Sequence, residues 1–109
     1  MNLTERLALL GKMDYALSVS YPVALGATAT IPTLISATLP SNLVRIAILP
    51  HVANTGTIYY AIGGAASVAT SQIPAGGENI PVTKTVADTI QLYGQAGDYA
   101  TVQVFTARS

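Results

Sequence analysis

The side chains that could carry catalysis are few in this sequence. His51 is the single histidine among 109 residues, and there is no cysteine. A histidine metal cluster, an HExxH zinc motif and a thiolate metal site are therefore excluded. A serine–histidine–aspartate triad would have to use His51, yet no GxSxG elbow occurs, and Asp14, Asp88 and Asp98 stand in unremarkable settings. We therefore expect no enzyme, no catalytic residue, no metal and no cofactor.

Phosphate recognition has equally little support. The glycine-bearing segments GGAAS and GQAG match no phosphate-binding loop. The five basic and five acidic side chains cancel, and charged residues make up 9% of the chain, against about 25% in a typical soluble domain. Nucleic-acid binding needs a basic surplus on one face, so we expect no such partner. Net charge near zero instead promotes association, which favours a protein that works within an assembly.

Residues 15–44 carry no charge, but they do not read as a membrane span. Pro22, Pro32 and Pro40 interrupt them, together with many serines and threonines. The start, MNLTERLALLGKMD, lacks the basic leader and the long apolar run of a secretory signal. We expect synthesis in the cytoplasm, with neither a membrane nor a small-molecule substrate as partner.

A short helical arm is predicted over residues 1–14. Asn2 can cap it, Glu5 follows three residues later as in a capping box, and Gly11 can close it. Its apolar stripe consists of Leu3, Leu7 and Leu10. Such a helix is shorter than the roughly 12 to 15 residues needed for marginal stability alone. It must dock, either on its own domain or on a neighbouring subunit.

From Tyr15 onward the hydrophobic period changes to two, and prolines and glycines punctuate it. The alternation predicts strands at YALSVSY, VALGATATI, TLISATL, LVRIAIL, TIYYAI, NIPVT, TIQLYGQ and YATVQVFT. Pro81 cannot donate to a ladder, which predicts an edge position for NIPVT. AGD joins the last two strands as a hairpin turn, and Gly76-Gly77 forms a turn anchored by Ile73 and Ile80. Residues 15–109 are therefore predicted to be an all-β domain, a small antiparallel β-sandwich that is jelly-roll-like or barrel-like.

Strict alternation places aromatic side chains on the outer faces of these strands. The predicted core residues are Ile58, Ile62, Ile90, Leu92, Val102 and Val104. Opposite them stand Tyr59, Tyr93, Tyr99 and Phe105, among Thr57, Thr89, Gln91, Thr101 and Gln103. Interfaces are enriched in aromatic residues and depleted of charge at their centres. The alternative is that the rings only pair across strands on a solvated face, worth about 0.2 to 1 kcal/mol each.

We predict that eight residues dock partners: Leu3, Leu7, Leu10, Tyr15, Tyr59, Tyr93, Tyr99 and Phe105. The uncharged segment 63–72 fits the same idea, because glycine, alanine and serine let two backbones approach closely. Its alternative is a flexible exposed loop. A different function, glycan binding, would use Tyr59, Tyr93 and Phe105 as a flat platform on a sheet. The absence of tryptophan and of an acidic cluster for calcium weighs against that function.

The segment from YYAIGGAASVATSQIPAGG to TIQLYGQAGDYATVQVFTARS, residues 59–109, resembles the small β-sandwich virion proteins of tailed bacteriophages. The likeness is strongest to capsid decoration, or cement, proteins. It rests on a tyrosine strand, a glycine turn, a small-residue loop, the IPAGG turn and the closing hairpin. Similar hairpins occur in tail, fibre and spike proteins, which remain an alternative.

The resemblance implies a protein that clips to the outer capsid surface after synthesis in the host bacterial cytoplasm. Its partners would be the major capsid protein and other copies of itself, often as a trimer, and it would stabilise the head by bridging shell subunits. An N-terminal arm would add contacts, with Leu3, Leu7 and Leu10 as its docking residues and Tyr15 as its hinge.

Overall fold

The first β-strand, Tyr15–Ala24, covers the segment YALSVSY in which the period-two alternation predicts a strand. A computed structural model describes the backbone of residues 15–107 and the side chains of residues 19–107. The predicted helical arm, residues 1–14, lies outside the described residues. Within them, no helix has the length and apolarity needed to cross a membrane.

Eight strands and two short helices follow one another along the described chain. The strands are β1 (Tyr15–Ala24), β2 (Ala29–Thr30), β3 (Leu43–Pro50), β4 (Ile58–Ile62), β5 (Ser71–Ile73), β6 (Glu78–Pro81), β7 (Ile90–Tyr93) and β8 (Tyr99–Ala107). The helices are α1 (Ile31–Ile35) and α2 (Lys84–Ala87). The prediction of an all-β chain is confirmed.

The strands form two antiparallel sheets of four strands each. One has the order β1-β8-β3-β6 and the other β2-β7-β4-β5. β6 is an edge strand, as Pro81 predicts, because proline has no N–H for a second neighbour. β1 lies at the other edge of the same sheet, where Pro22 is tolerated for the same reason.

The predicted hairpin between the last two strands is wrong. β7 pairs with β2 and β4, whereas β8 pairs with β1 and β3. Residues 94–98 therefore cross from one sheet to the other, through a turn in which Asp98 N–H donates to the Gln95 carbonyl at 3.0 Å and Gly97 has φ 95°. A tight turn between two alternating segments has the same sequence pattern whether its strands pair or separate.

The segment TLISATL is not a strand either. Residues 31–35 form α1, with Pro32 in its first turn, where a missing N–H breaks no helical hydrogen bond. Ile31 and Ile35 are both buried, since a spacing of four places them on one face of a helix. Ser36, with φ 55°, ends the helix in the left-handed region. The preceding VALGATATI is divided, because β1 continues to Ala24 and only Ala29–Thr30 pairs again.

One buried cluster contains residues from strands of both sheets. Among the predicted core residues, Ile58, Ile90, Leu92, Val102 and Val104 are buried in it. Ile62 is the exception, at 48% exposed, because it is the last residue of β4 and the strand ends at Gly63. Helix α1 and the segment after it add Ile31, Ile35 and Leu39 to the same cluster.

The IPAGG turn forms as predicted. Ile73 and Ile80 are buried on its two sides, and Gly77 N–H donates to the Pro74 carbonyl at 2.8 Å. Gly77 has φ 94°, and a Cβ there would overlap the Leu49 side chain. The position therefore needs glycine for both its backbone conformation and its space.

Candidate docking surfaces

Two of the predicted docking residues meet on the outer side of the sheet β2-β7-β4-β5. Tyr59 pairs directly with Tyr93 on one side and with Gln72 on the other. The two tyrosine rings have centroids 6.3 Å apart and planes inclined by 41°. Both side chains are half-buried. The register of three neighbouring strands thus brings these rings together, as the alternation of β4 and β7 predicts.

A second row of side chains continues this surface. Gln91 pairs with Ala61 on one side and with Thr30 on the other, and Thr28 Oγ1 lies 3.1 Å from Gln91 Oε1 as its hydrogen-bond donor. We call the surface the tyrosine face and define it as Thr30, Tyr59, Ala61, Gln72, Gln91 and Tyr93. None of these six side chains is charged. A partner can cover this face without removing an ion from water, which is the largest cost of burying polar surface.

Phe105 lies on the other sheet, on the outer side of β8. It pairs with Arg45 of β3 and, through the backbone register, with Leu17 of β1. Gln103 and Thr101 continue the same side of β8, and all three side chains are half-buried. We call Arg45, Thr101, Gln103 and Phe105 the phenylalanine face. The three rings of the alternative glycan platform do not share one sheet, because Phe105 belongs to the sheet β1-β8-β3-β6, whereas Tyr59 and Tyr93 belong to β2-β7-β4-β5.

The remaining predicted docking residues are more scattered. Tyr99 begins β8 and is 50% exposed, about 20 Å along the strand from Phe105. The backbone of Tyr15 begins β1, while its side chain is outside the described part of the molecule. The leucine stripe of the arm is also outside it, namely Leu3, Leu7 and Leu10.

Sequence reasoning treated Asp98 as an ordinary turn residue, whereas the structure makes it the anchor of a loop. Its side chain is 4% exposed. Oδ1 accepts hydrogen bonds from Thr55 N–H at 3.0 Å and Thr55 Oγ1 at 3.3 Å, and Oδ2 accepts one from Gly56 N–H at 2.8 Å. The loop between β3 and β4, residues 51–57, is thereby fixed to the start of β8.

The hydrogen bonds to Asp98 have an electrostatic consequence. The Thr55 N–H, above all, holds the pKa of the Asp98 carboxyl below its ordinary value of 3.8, against the opposing effect of burial, and the Gly56 N–H and Thr55 hydroxyl add to the lowering. Asp98 is therefore ionised at neutral pH. Its partners lie 42 and 43 residues away in sequence, so no local pattern signals them.

A second set of hydrogen bonds fixes the same loop. Asn54 Nδ2 donates to the Tyr99 carbonyl at 2.7 Å, and Tyr99 N–H donates to Asn54 Oδ1 at 2.8 Å. His51 N–H donates to the same Tyr99 carbonyl at 3.1 Å. The loop 51–57 is therefore held at its beginning, middle and end. Its exposed side chains are presented by a fixed backbone.

The described residues were also compared with the side-chain groups that bind metal ions in proteins. Between residues 15 and 107, no group of three or more histidine, aspartate or glutamate side chains could hold a metal ion. Comparison with known protein families, characterised proteins and solved structures found no match to this chain.

Proposed function

We propose that this chain is a non-enzymatic virion structural protein, a decoration or cement protein of a tailed-phage head. In this proposal the two sheets form a β-sandwich, and residues 1–14 form a short helical arm. The protein binds the outer capsid surface and contacts the major capsid protein and other copies of itself, as a trimer. The resemblance of residues 59–109 to phage virion proteins supports the virion setting.

The observation that carries the proposal is the tyrosine face. It combines two half-buried aromatic rings with amide and hydroxyl groups and has no charged side chain. Aromatic enrichment and charge depletion are the compositional features of an interface centre. Tyrosine also supplies a large contact area together with a hydroxyl that can find a hydrogen-bond partner in the interface.

The phenylalanine face supports the bridging part of the proposal. It lies on the opposite sheet, and only Arg45 among its four residues is charged. Two docking surfaces on opposite sides let one molecule contact two neighbours at once. On a closed shell, many identical weak contacts then act together, so each needs to contribute little.

Glycan binding has weaker support than assembly. A flat platform needs rings that share a plane, and Tyr59 and Tyr93 are inclined by 41°. Phe105, the third ring of such a platform, lies on the other sheet. The remaining pair offers an aromatic patch for packing more readily than a sugar-stacking surface.

The proposal is tested by sedimentation of the purified protein with heads from a phage whose copy of this gene has been deleted. We expect saturable binding to these heads. The double variant Tyr59→Ala and Tyr93→Ala should bind more than about tenfold more weakly, since each anchor at an interface centre costs over 1 kcal/mol when truncated.

The matched control for this experiment is Thr85→Ala, an exposed position in α2 that belongs to neither of the two faces. It should bind like the unmodified protein. Failure of the unmodified protein to sediment with the heads would contradict the proposed function. Equal binding by the double variant would remove the tyrosine face from it.

A further inference from the structure

Large apolar side chains are exposed where β4 ends. Five such side chains are exposed in the described part of the chain, and three of them belong to this region, namely Ile62 at 48%, Val68 at 70% and Val86 at 39%. Ile62 is the last residue of β4, Val68 lies in the segment 63–70 that follows it, and Val86 lies in α2. We call these three residues the apolar end.

Backbone hydrogen bonds hold the parts of the apolar end together. Gly63 N–H donates to the Thr89 carbonyl at 3.3 Å. Thr89 N–H and Oγ1 both donate to the Val86 carbonyl, at 3.0 and 2.7 Å. Val68 stands in the turn 67–70, which is closed by a backbone hydrogen bond of 3.0 Å. The end of β4 therefore lies beside the end of α2 in a fixed arrangement.

Ile62 marks a place where the core is uncovered. Alternation along β4 puts it on the same side as Ile58, which is buried, and Tyr60, which packs against the core cluster. Its partner in β7, Ile90, is fully buried. An isoleucine on the core side of its strand is thus half exposed to water. Covering it would remove apolar surface from solvent, which is favourable.

The chain enters the β-domain at this same end. The backbone of Tyr15 begins β1 beside the end of β8, and the end of β8 lies beside the start of β3. Val82, which leads from β6 into α2, donates its N–H to the carbonyl of Val44 at the start of β3, at 3.2 Å. Residues 1–14 therefore join the domain at the end that carries α2.

The leucine stripe of residues 1–14 is within reach of the apolar end. The sheet order β1-β8-β3-β6 puts three strand spacings, about 14 Å, between β1 and the strand that leads into α2. Leu10 stands five residues before Tyr15, and five residues span up to about 17 Å when extended. In the predicted helix, Leu3 and Leu7 follow within about a further 10 Å.

We propose that residues 1–14 pack on their own domain, with the leucine stripe covering the apolar end. A helix this short becomes stable only by docking. Of the two docking sites that the sequence leaves open, the tether favours the own domain over a neighbouring subunit, because a short link gives an effective concentration in the millimolar range. The inference goes beyond the proposed function, since it concerns the free molecule. An arm fixed in this way presents its remaining surface to partners.

A double-mutant cycle on the full-length protein tests this contact. The stripe variant replaces Leu3, Leu7 and Leu10 by alanine, and the end variant carries Ile62→Ala and Val86→Ala. In the unmodified background, the stripe replacement should lower the melting temperature by about 5 °C or more. In the end variant the same replacement should lower it by less than half as much, because the partner side chains are already missing.

The matched control background is Val52→Ala, a fully exposed position in the loop that precedes β4, at the other end of that strand. The stripe replacement should lower the melting temperature there by as much as in the unmodified protein. Circular dichroism follows the unfolding at two protein concentrations that differ tenfold. A contact within one chain keeps its full effect on dilution, whereas a contact between copies weakens.

The second test uses the absence of cysteine from the chain. Leu7→Cys and Val86→Cys are combined in one chain, which is oxidised at low concentration. We expect a disulfide within the monomer, well above the level given by Leu7→Cys combined with Val52→Cys. A second pair, Leu10→Cys with Ile62→Cys, covers a different rotation of the helix on the domain.

Three results would overturn the inference. The first is an equal loss of melting temperature in the end variant and in the unmodified background. The second is internal cross-linking of both pairs no higher than in the control. The third is a covalent dimer in place of the internal disulfide, which would assign the arm to a neighbouring copy. Neither test uses heads, so a protein that packs its arm but does not bind heads would keep this contact and lose the decoration role.

Discussion

Asp98 is the residue whose side chain fixes the loop 51–57 to the start of β8. It is the single buried charged side chain of the described chain, and two backbone N–H groups and one hydroxyl of the loop 51–57 satisfy it. A carboxylate accepts such bonds more strongly than a neutral group does. One negative charge therefore helps to hold the loop 51–57 in place.

We predict that Asp98→Asn lowers the melting temperature at neutral pH by several degrees. The amide keeps the size of the side chain but removes the charge, and it brings an NH₂ group towards the Thr55 and Gly56 donors. Thermal unfolding followed by circular dichroism measures the effect. The control is Asp88→Asn, which breaks the half-buried Lys84–Asp88 ion pair within one turn of α2; ion pairs near the surface are worth about 0 to 1 kcal/mol.

The same variant gives a prediction for pH. The pKa of Asp98 is lower in the folded state than its ordinary value of 3.8, so its stabilisation is complete above the unfolded-state pKa. It is lost as the pH falls through the lower folded-state value. The unmodified protein should therefore lose stability on acidification more steeply than Asp98→Asn. Parallel acid curves for the two proteins would mean that the charge of Asp98 does not stabilise the fold.

At the scale of elements, alternation in the sequence was most informative where strands have a buried and an outer side. The prediction from β7 and β8 placed Ile90, Leu92, Val102 and Val104 in the core, and all four are buried. Alternation failed in TLISATL, residues 33–39, because its first three residues complete helix α1. That helix begins before the segment, at Ile31, and Pro32 favours its first turn.

The pairing of the strands was harder to predict than their existence. The turn at residues 94–98 predicted a hairpin but joins two sheets, and the choice depends on contacts remote in sequence. β8 lies between β1 and β3, and each residue of β8 pairs with a residue at least 50 positions away along the chain. The division of the docking residues between two faces follows from this pairing, so the sequence could predict which rings point outwards but not which rings meet.

Two adjacent tyrosines allow the outer and inner sides of β4 to be compared directly. We predict that Tyr59→Ala reduces association while lowering the free energy of unfolding by only about 0.2 to 1 kcal/mol, the worth of a cross-strand pair. Tyr60→Ala should instead lower it by about 2 kcal/mol or more, because Tyr60 packs against the core cluster. Sedimentation equilibrium and urea unfolding on both variants measure the two effects. A larger loss of stability in Tyr59→Ala than in Tyr60→Ala would contradict this assignment, because it would mean that Tyr59 and not Tyr60 packs against the core.

At the scale of the whole molecule, the arm and the β-domain are expected to be separable. Among the residues whose side chains are described, the members of the core cluster run from Val23 to Val104. We predict that deletion of residues 1–13 leaves a folded, cooperative domain and weakens assembly on heads. Thermal unfolding and the head-binding assay measure the two properties.

A full-length variant distinguishes loss of the leucine stripe from shortening of the chain. Leu3, Leu7 and Leu10 are replaced together by alanine, which keeps helix propensity and removes the apolar side chains. It should bind heads as weakly as the deletion. Normal assembly of the shortened protein would exclude a docking role for the arm.

The central claim, a decoration protein on a phage head, is tested most directly by counting copies in purified particles. Quantitative mass spectrometry can compare this 11.2 kDa chain with the major shell subunit. We predict a ratio near one copy for each shell subunit. A handful of copies per particle, as expected for a tail, fibre or spike component, or the absence of the chain from particles would contradict the claim.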